Sequence, residues 1–157
     1  MVAFTNLVIE LSHVGENMPV LIAVNTYADQ HFDGVRTLWR DAFPDDPSWN
    51  DAEVAIPAKL AIQPELFLVA VDEGHVVGSI MAGYDGHRGW LYAVAVLTSH
   101  RRRGIGTALV REAERRLLLL GCHKINLQVR TSNTAVVEFY RRRGYAVEER
   151  ISMGKRV

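Results

Sequence analysis

A run of three arginines closed by two glycines, Arg101-Arg102-Arg103-Gly104-Ile105-Gly106, joins an apolar strand to an amphipathic helix and constrains the fold more than any other stretch. Before it, Leu91–Leu97 is apolar on both faces, the pattern of a central strand covered on two sides. After it, Ile105, Leu109, Ala113, Leu117 and Leu120 recur at three- and four-residue steps and define the buried stripe of a helix over 105–120. Arg111, Glu114 and Arg115 are expected to face water, and Glu112 and Arg116 to pair across one turn. Such a helix begins with unpaired backbone N–H groups and partial positive charge. Glycines at 104 and 106 remove the Cβ atoms that would hold a ligand off the backbone. The junction is therefore expected to receive an anion, most simply a diphosphate.

Three phosphate-binding patterns compete for this junction. A Walker loop needs a lysine and a hydroxyl after its second glycine, and the nearest spacing, Gly78 to Gly83, continues with Tyr84. A dinucleotide fingerprint needs a third glycine, but Leu109 occupies that position. The Arg/Gln-x-x-Gly-x-Gly/Ala turn that cradles the pyrophosphate of coenzyme A is matched in full by Arg101-x-x-Gly104-x-Gly106. The plain alternative is an arginine-rich turn on a solvated surface.

A second motif follows at a fixed distance. Lys124–Arg130 alternates and reads as a strand. Asn133 can cap the helix that begins after it, and Gly144 can end that helix in a left-handed conformation. Tyr140 lies about two helical turns from Asn133, on the same face. Together these motifs resemble the GNAT family of acetyl-CoA-dependent N-acetyltransferases over roughly residues 20–156. The runs Gly83–Gly89 and Ile151–Arg156 are also similar to its bacterial YpeA-like subgroup, itself close to the RimI-type acetylases of protein N-termini. The chain departs from the family pattern at Thr98, where a proline is common, at Arg102, where a glycine is frequent, and at Val136, where alanine is common.

The resemblance implies a site. The pyrophosphate of acetyl-CoA would rest on the N–H groups of Arg102, Arg103, Gly104, Ile105, Gly106 and Thr107, with Arg101 and Arg103 as charge partners. Its pantetheine arm would run between two central parallel strands that splay apart. It would pair with backbone groups near Val94 and Val96 as an added strand would, and Asn133 would contact it. Tyr140 would protonate the leaving thiolate, since a phenol of pKa near 10 is protonated at neutral pH. A core tyrosine on an amphipathic helix is the plain alternative. A backbone N–H near Val94–Val96 would polarise the thioester carbonyl. Direct attack by the amine in a ternary complex needs no covalent enzyme intermediate.

The general base is not legible. Asp85, His87 and Tyr92 are candidates, although polar residues in a glycine-rich turn need no functional reason. Trp39, Trp49 and Tyr84 could line the acceptor pocket or simply pack in the core. Asp45, Asp46 and Asp51 could attract a cationic amine or be solvated loop acids. At pH 7 an α-amine is roughly a tenth neutral but a lysine amine only about 0.04%, so a chain without an evident strong base suits the former better. The acceptor is expected to be a small amine or a peptide α-amine. The alternatives are a non-catalytic acyl-CoA-binding regulatory module and an RNA- or ribosome-associated protein using its arginine runs.

Composition narrows these classes. Eighteen basic and eighteen acidic residues cancel, which argues against a nucleic-acid partner. The second arginine run, 141–143, is expected to complement a helix C-terminus or to lie on a solvated face. The single cysteine, Cys122, permits no internal disulfide and is expected to be structural, in a reducing compartment. The six histidines show no metal-ligand spacing, so no metal is expected. No run approaches a membrane span, and the N-terminus lacks a basic leader. The expected location is therefore cytoplasmic.

The 157 residues suit one domain. Residues 1–19 are expected to form an arm or an extra strand (Phe4 to Leu11) ahead of a domain over 20–157, with Met18 as an alternative start. That domain should open with a strand at Val20–Val24 and a helix from Asp29 to Phe43, ended by Pro44 and Pro47. A second helix to about Ile62 carries Pro57. A hairpin turning at Asp72-Glu73-Gly74 follows, and the final strands are 145–149 and 151–157. The order β-αα-βββ-α-β-α-ββ describes a three-layer α/β fold around a mixed sheet. Exposed terminal strands and the arm leave room for a homodimer.

Overall fold

The computed structural model describes residues 7–10 and 21–157. These divide into two compact units, one ending at Leu127 and one spanning Gln128–Val157.

The first unit is built on a six-stranded sheet. Its strands are β1 (Leu7–Glu10), β2 (Leu21–Thr26), β3 (Phe67–Asp72), β4 (His75–Tyr84), β5 (Gly89–Val96) and β6 (Ile125–Leu127). They lie in sequence order, antiparallel except for the parallel pair β5–β6. Within the region expected to form an arm or an extra strand, Leu7–Glu10 runs antiparallel to β2. The rest of the expected arm lies outside the described residues.

Helices α1 (Phe32–Ala42) and α2 (Ala52–Leu60) cover one face of the sheet, and α3 (Ile105–Leu119) covers the other. Strand alternation assigns the faces. A Cβ on Gly78 would come within 3.0 Å of Leu109 and 3.1 Å of Ile105 of α3. The next residue, Ser79, accepts a hydrogen bond from Trp39 of α1. On the α1 side, Tyr27, Val35, Leu38, Trp39, Ile56, Phe67, Val69 and Met81 form one buried cluster. Each large aliphatic or aromatic residue there contributes about 1.5–3 kcal/mol through burial.

Local chemistry explains the element boundaries. The single 3-10 turn Asp29–His31 leads into α1, with the His31 Nδ1 accepting the Ala28 N–H at 3.0 Å. Ala42 is the last residue of α1, two before Pro44, as the proline rule expects. The second helix is not continuous. A 3-10 turn at Ser48–Asn50 precedes α2, and Pro57 sits inside α2 without ending it. Glu73 and Gly74 both take left-handed φ, 47° and 80°, which is the two-residue hairpin turn expected between β3 and β4. Leu120 was expected in the α3 stripe but is exposed, because α3 ends at Leu119 and Gly121 turns the chain at φ 84°.

Packing is tight at Gly34. A Cβ there would lie 2.9 Å from Val76 Cβ, a β-branched atom that cannot swing aside. Gly34→Ala is expected to lose about 1 kcal/mol net, overpacking outweighing alanine's helix preference. Thermal denaturation should show a fall of about 2–4 °C. An unchanged or raised midpoint would mean the helix can move off the sheet.

The second unit contains α4 (Thr134–Arg141). Asn133 Oδ1 accepts the Val136 N–H at 3.3 Å, the expected cap. Gly144 has φ 86°, the expected left-handed stop. Residues 145–157, expected to form two strands, carry no regular structure. Val147, Ile151 and Met153 are all exposed, so alternation there has no buried face to reward it. The strand expected over 124–130 is likewise confined to Ile125–Leu127.

Candidate active site

At one end of the sheet, β5 has an edge that is only partly covered by a strand among the described residues. Its pairing with β6 covers only Gly89–Leu91 against Ile125–Leu127 and then stops. β6 itself ends at Leu127, so among the described residues β5 has no parallel strand partner beyond Leu91. On its other side β5 stays bonded to β4 through an irregularity. Tyr92 opposes Met81 and Ala95 opposes Ser79, so Ala93 and Val94 together face Ile80. This is a β-bulge. Ala93 takes φ 49°, a left-handed conformation that costs a residue with a Cβ about 1–2 kcal/mol. Beyond the bulge, the Leu97 N–H bonds to the Val77 carbonyl of β4. Strand alternation then turns the backbone of Val94 and Val96 to the open edge.

The open edge runs into the glycine turn. Arg102 and Gly104 have φ 62° and 79°, and Gly104 is the residue ahead of α3. Arg102 tolerates the left-handed region where the family pattern often has glycine. The ladder of α3 begins with the Ala108 N–H bonded to the Gly104 carbonyl at 3.0 Å. The N–H groups of Ile105 and Gly106 lie ahead of that ladder. No acidic residue occupies the first turn of α3, so nothing there offsets the positive end of the helix.

The arginines of the turn differ in role. Arg101 Nε folds back to the Val96 carbonyl at 3.4 Å, along the open edge. Arg103 Nη2 lies 3.3 Å from Asp72, which also lies 3.4 Å from His100 Nε2. Arg103 is therefore engaged by a carboxylate at the end of β3.

In the second unit, Tyr140 is buried and packs edge-on against Phe139 at 5.0 Å and Tyr145 at 5.4 Å. The Arg143 guanidinium stacks on Phe139, with Cζ 3.4 Å from the ring centroid. The second arginine run is thus partly a packing feature rather than only a solvated face.

The expected acceptor-side residues are not gathered at the bulge. Asp85 and His87 occupy the β4–β5 turn, ahead of Gly89, and Ala93 lies about 13 Å further along the strand at 3.3 Å per residue. Asp85 Oδ1 accepts the N–H groups of His87 and Arg88 at 2.7 and 2.6 Å. Those backbone bonds, from Arg88 first, hold its carboxyl below the usual range. Tyr84 Oη donates within the same corner, to the Gly86 and Gly121 carbonyls at 3.1 and 3.3 Å. These three residues lock a turn. Tyr92 is half exposed, but its hydroxyl lies near Gly83, on the side away from the bulge. Burial pushes that phenol above its ordinary range, so it is a poorer base at neutral pH. Trp39 is buried in the core, whereas Trp49 is exposed. Cys122 is buried, and its thiol donates to the Lys124 carbonyl at 3.2 Å. Among the described residues no group of His, Cys, Asp and Glu could hold a metal ion, and no helix is long and apolar enough to cross a membrane.

The model of the acetyltransferase (GNAT) family matches residues 32–145, from the start of α1 past α4. The chain belongs to this family. It is similar to an acetyltransferase of Sodalis glossinidius, 44% identical over 135 residues that cover 85% of this chain and 94% of the relative. An acetyltransferase of Pectobacterium atrosepticum is 42% identical over 134 residues, with the same coverage. The fold is shared with the aminoglycoside acetyltransferase AAC(6')-Iy solved with a bisubstrate analogue, CoA-S-monomethyl-acetylneamine. That match has a TM-score of 0.70 at 20% identity, covering 87% of this chain and 98% of that one. It is shared also with Ard1 from Thermoplasma volcanium, TM-score 0.72 at 22% identity, covering 80% and 82%.

As a GNAT protein the chain is an acetyl-CoA-dependent N-acetyltransferase. Three site-adjacent residues of this GNAT chain escaped the sequence reading. Ser79 is fully buried beneath the bulge. Asp72 holds the glycine turn through His100 and Arg103. Lys59 is buried in α2, donates to the Ala82 carbonyl and lies 5.9 Å from the Tyr92 ring centroid. Burial lowers its ammonium to about 8, against the pull of Glu65. Only the register of β4 could have exposed the first. The others depend on contacts between elements distant in sequence.

Proposed function

We propose that the glycine turn and the open edge of β5 bind acetyl-CoA, and that the acceptor is a primary amine on a small molecule or a peptide N-terminus. The observation that carries the reading is the conjunction of the two features on one strand. Among the described residues the edge of β5 has no strand partner beyond Leu91, and the same strand leads to a left-handed glycine at a helix start. In this reading the N–H groups of Arg102, Arg103, Gly104, Ile105, Gly106 and Thr107 receive the pyrophosphate. Val94 and Val96 pair with the pantetheine amides as a neighbouring strand would, and Asn133 adds a side-chain contact. Arg101 supplies charge at the strand end, while Arg103 acts chiefly by fixing the turn through Asp72.

The chemistry asks three things of the chain. It must hold a neutral amine against the thioester, stabilise the oxyanion that forms, and protonate the departing thiolate. The Val94 N–H is the proposed oxyanion donor and Tyr140 the proposed acid. The positions of Asp85, His87 and Tyr92 do not favour any of them as base. An acceptor already partly neutral at pH 7, such as an α-amine, needs the least help. The resemblance to the RimI-type acetylases supports the same class, whereas the likeness to an aminoglycoside acetyltransferase supports a small amine.

Release of CoA thiol from acetyl-CoA, measured across a panel of peptides with free or blocked N-termini and of small diamines, tests the reading. Turnover dependent on a free amine is expected. Acetyl-CoA binding with no turnover on any acceptor would favour a regulatory module.

A further inference from the structure

The bulge is pinned from the side of α1. Trp39 Nε1 donates to Ser79 Oγ at 2.8 Å, and Ser79 Oγ donates to the Ala93 carbonyl at 3.3 Å. Trp39 is 5% exposed and Ser79 is fully buried, so water does not compete for the bond between them. One hydroxyl thus accepts one hydrogen bond and donates another, and its donor is directed by the indole. The carbonyl it holds belongs to the residue with φ 49°.

The peptide linking Ala93 to Val94 is trans, as every peptide bond among the described residues is. In a planar trans peptide the C=O and the N–H point in opposite directions. Ser79 draws the Ala93 carbonyl toward β4. The Val94 N–H is therefore turned away from β4, toward the edge of β5 that has no strand partner beyond Leu91 among the described residues. Without the hydroxyl, the left-handed Ala93 has less to hold it, and relaxing that φ would rotate the same peptide plane.

We propose that Ser79, directed by Trp39, is a positioning residue that aims the Val94 N–H at the thioester carbonyl. This rests on the reading that acetyl-CoA lies along the open edge of β5. Neither side chain touches the reacting atoms. Their effect passes through the orientation of one peptide group. The tryptophan expected to line the acceptor pocket thus serves the cofactor side from within the core.

The test compares wild type, Ser79→Ala and Trp39→Phe in the full chain, using acetyl-CoA labelled with 13C at the thioester carbonyl. Isotope-edited infrared spectra of bound acetyl-CoA report the polarisation of that carbonyl. Turnover is followed with whichever amine of the panel is accepted. In wild type the carbonyl band should shift to lower frequency on binding. In Ser79→Ala most of that shift should disappear, and kcat should fall about 10- to 100-fold, less than the 10²–10³ lost when an oxyanion donor is removed outright. The KM for acetyl-CoA should stay within about threefold, because the cradle is untouched. Trp39→Phe should show the same changes to a smaller degree. A purely structural role would lower the melting temperature without moving the carbonyl band. A band in Ser79→Ala identical to wild type, or kcat within twofold, would overturn the proposal. A wild-type protein that binds no acetyl-CoA would overturn the underlying reading and this inference with it.

Discussion

Tyr140→Phe is expected to lower kcat by about 10²–10⁴ while leaving acetyl-CoA affinity within about twofold. The estimate is the range for loss of a positioned general acid. Attack by the amine builds a tetrahedral intermediate whose collapse expels a thiolate, and a proton supplied at that moment removes the charge from the leaving group. The substitution takes away one oxygen and keeps the ring. Its edge contacts with Phe139 and Tyr145 survive, so the packing of α4 should hold. Steady-state rates with binding measured separately would decide the point. Equal losses in kcat and kcat/KM with an unchanged dissociation constant identify an interaction made only in the transition state. Full activity in the variant would make Tyr140 a core residue and leave the thiolate to depart unassisted.

Arg116→Ala is expected to destabilise the protein by about 3–5 kcal/mol, a large share of the usual 5–15 kcal/mol. Arg116 is fully buried and Glu112 is 2% exposed. The guanidinium bonds Glu112 Oε1 at 2.8 Å, the Thr26 hydroxyl at 2.8 Å and the Glu65 carbonyl at 2.6 Å. It thereby ties α3 to β2 and to the segment before β3. Removing it strands a carboxylate in the core with only the half-exposed Arg115 beside it. Urea unfolding should show the loss as a lower midpoint at unchanged slope. Replacing Glu112 by Leu together with Arg116 by Met should recover most of it, since matched apolar groups need no partner. A single-variant loss below about 1 kcal/mol would mean that water reaches the site.

The same pair sets an acid limit. Burial alone would raise the Glu112 carboxyl, but hydrogen bonds and charge from Arg115 and Arg116 outweigh it and hold it below the usual range. Its contribution is complete above the unfolded value near 4.3 and is lost as pH falls through the lower folded value. Glu112→Gln should remove that part of the acid transition.

What the sequence carried, and what it did not, follows from the range of the interactions concerned. The glycine turn, the Asn133 cap, the Gly144 stop and the Glu73-Gly74 hairpin are written in a few adjacent residues. Each is present where local rules put it. Glu112 and Arg116 were legible as a helical pair, but their burial depended on Thr26 and Glu65, which lie far off in the chain. The bulge at Ala93 has no local signature, because it arises from a one-residue mismatch between β4 and β5. Trp39 was open to either the acceptor pocket or the core, and only its bond to Ser79 shows its place beneath the bulge. Asp85 and His87 looked available as bases because a linear sequence does not show that the β4–β5 turn they occupy lies well away from the bulge at Ala93. The terminal strands failed for the opposite reason. Apolar residues such as Val147 and Ile151 alternate suggestively, yet a strand needs a partner that composition cannot supply.

The central claim is that the turn at 101–107 holds the pyrophosphate of acetyl-CoA. Calorimetric titration of wild type and Gly104→Glu with acetyl-CoA tests it most directly. The substitution places a side chain on a left-handed residue, at a cost of about 1–2 kcal/mol, and sets a carboxylate where the phosphates would lie. Saturable binding to wild type, weakened about 100-fold or more in the variant (roughly 2.7 kcal/mol), is the predicted result. Equal binding by the two proteins, or none by a folded wild type, would contradict it.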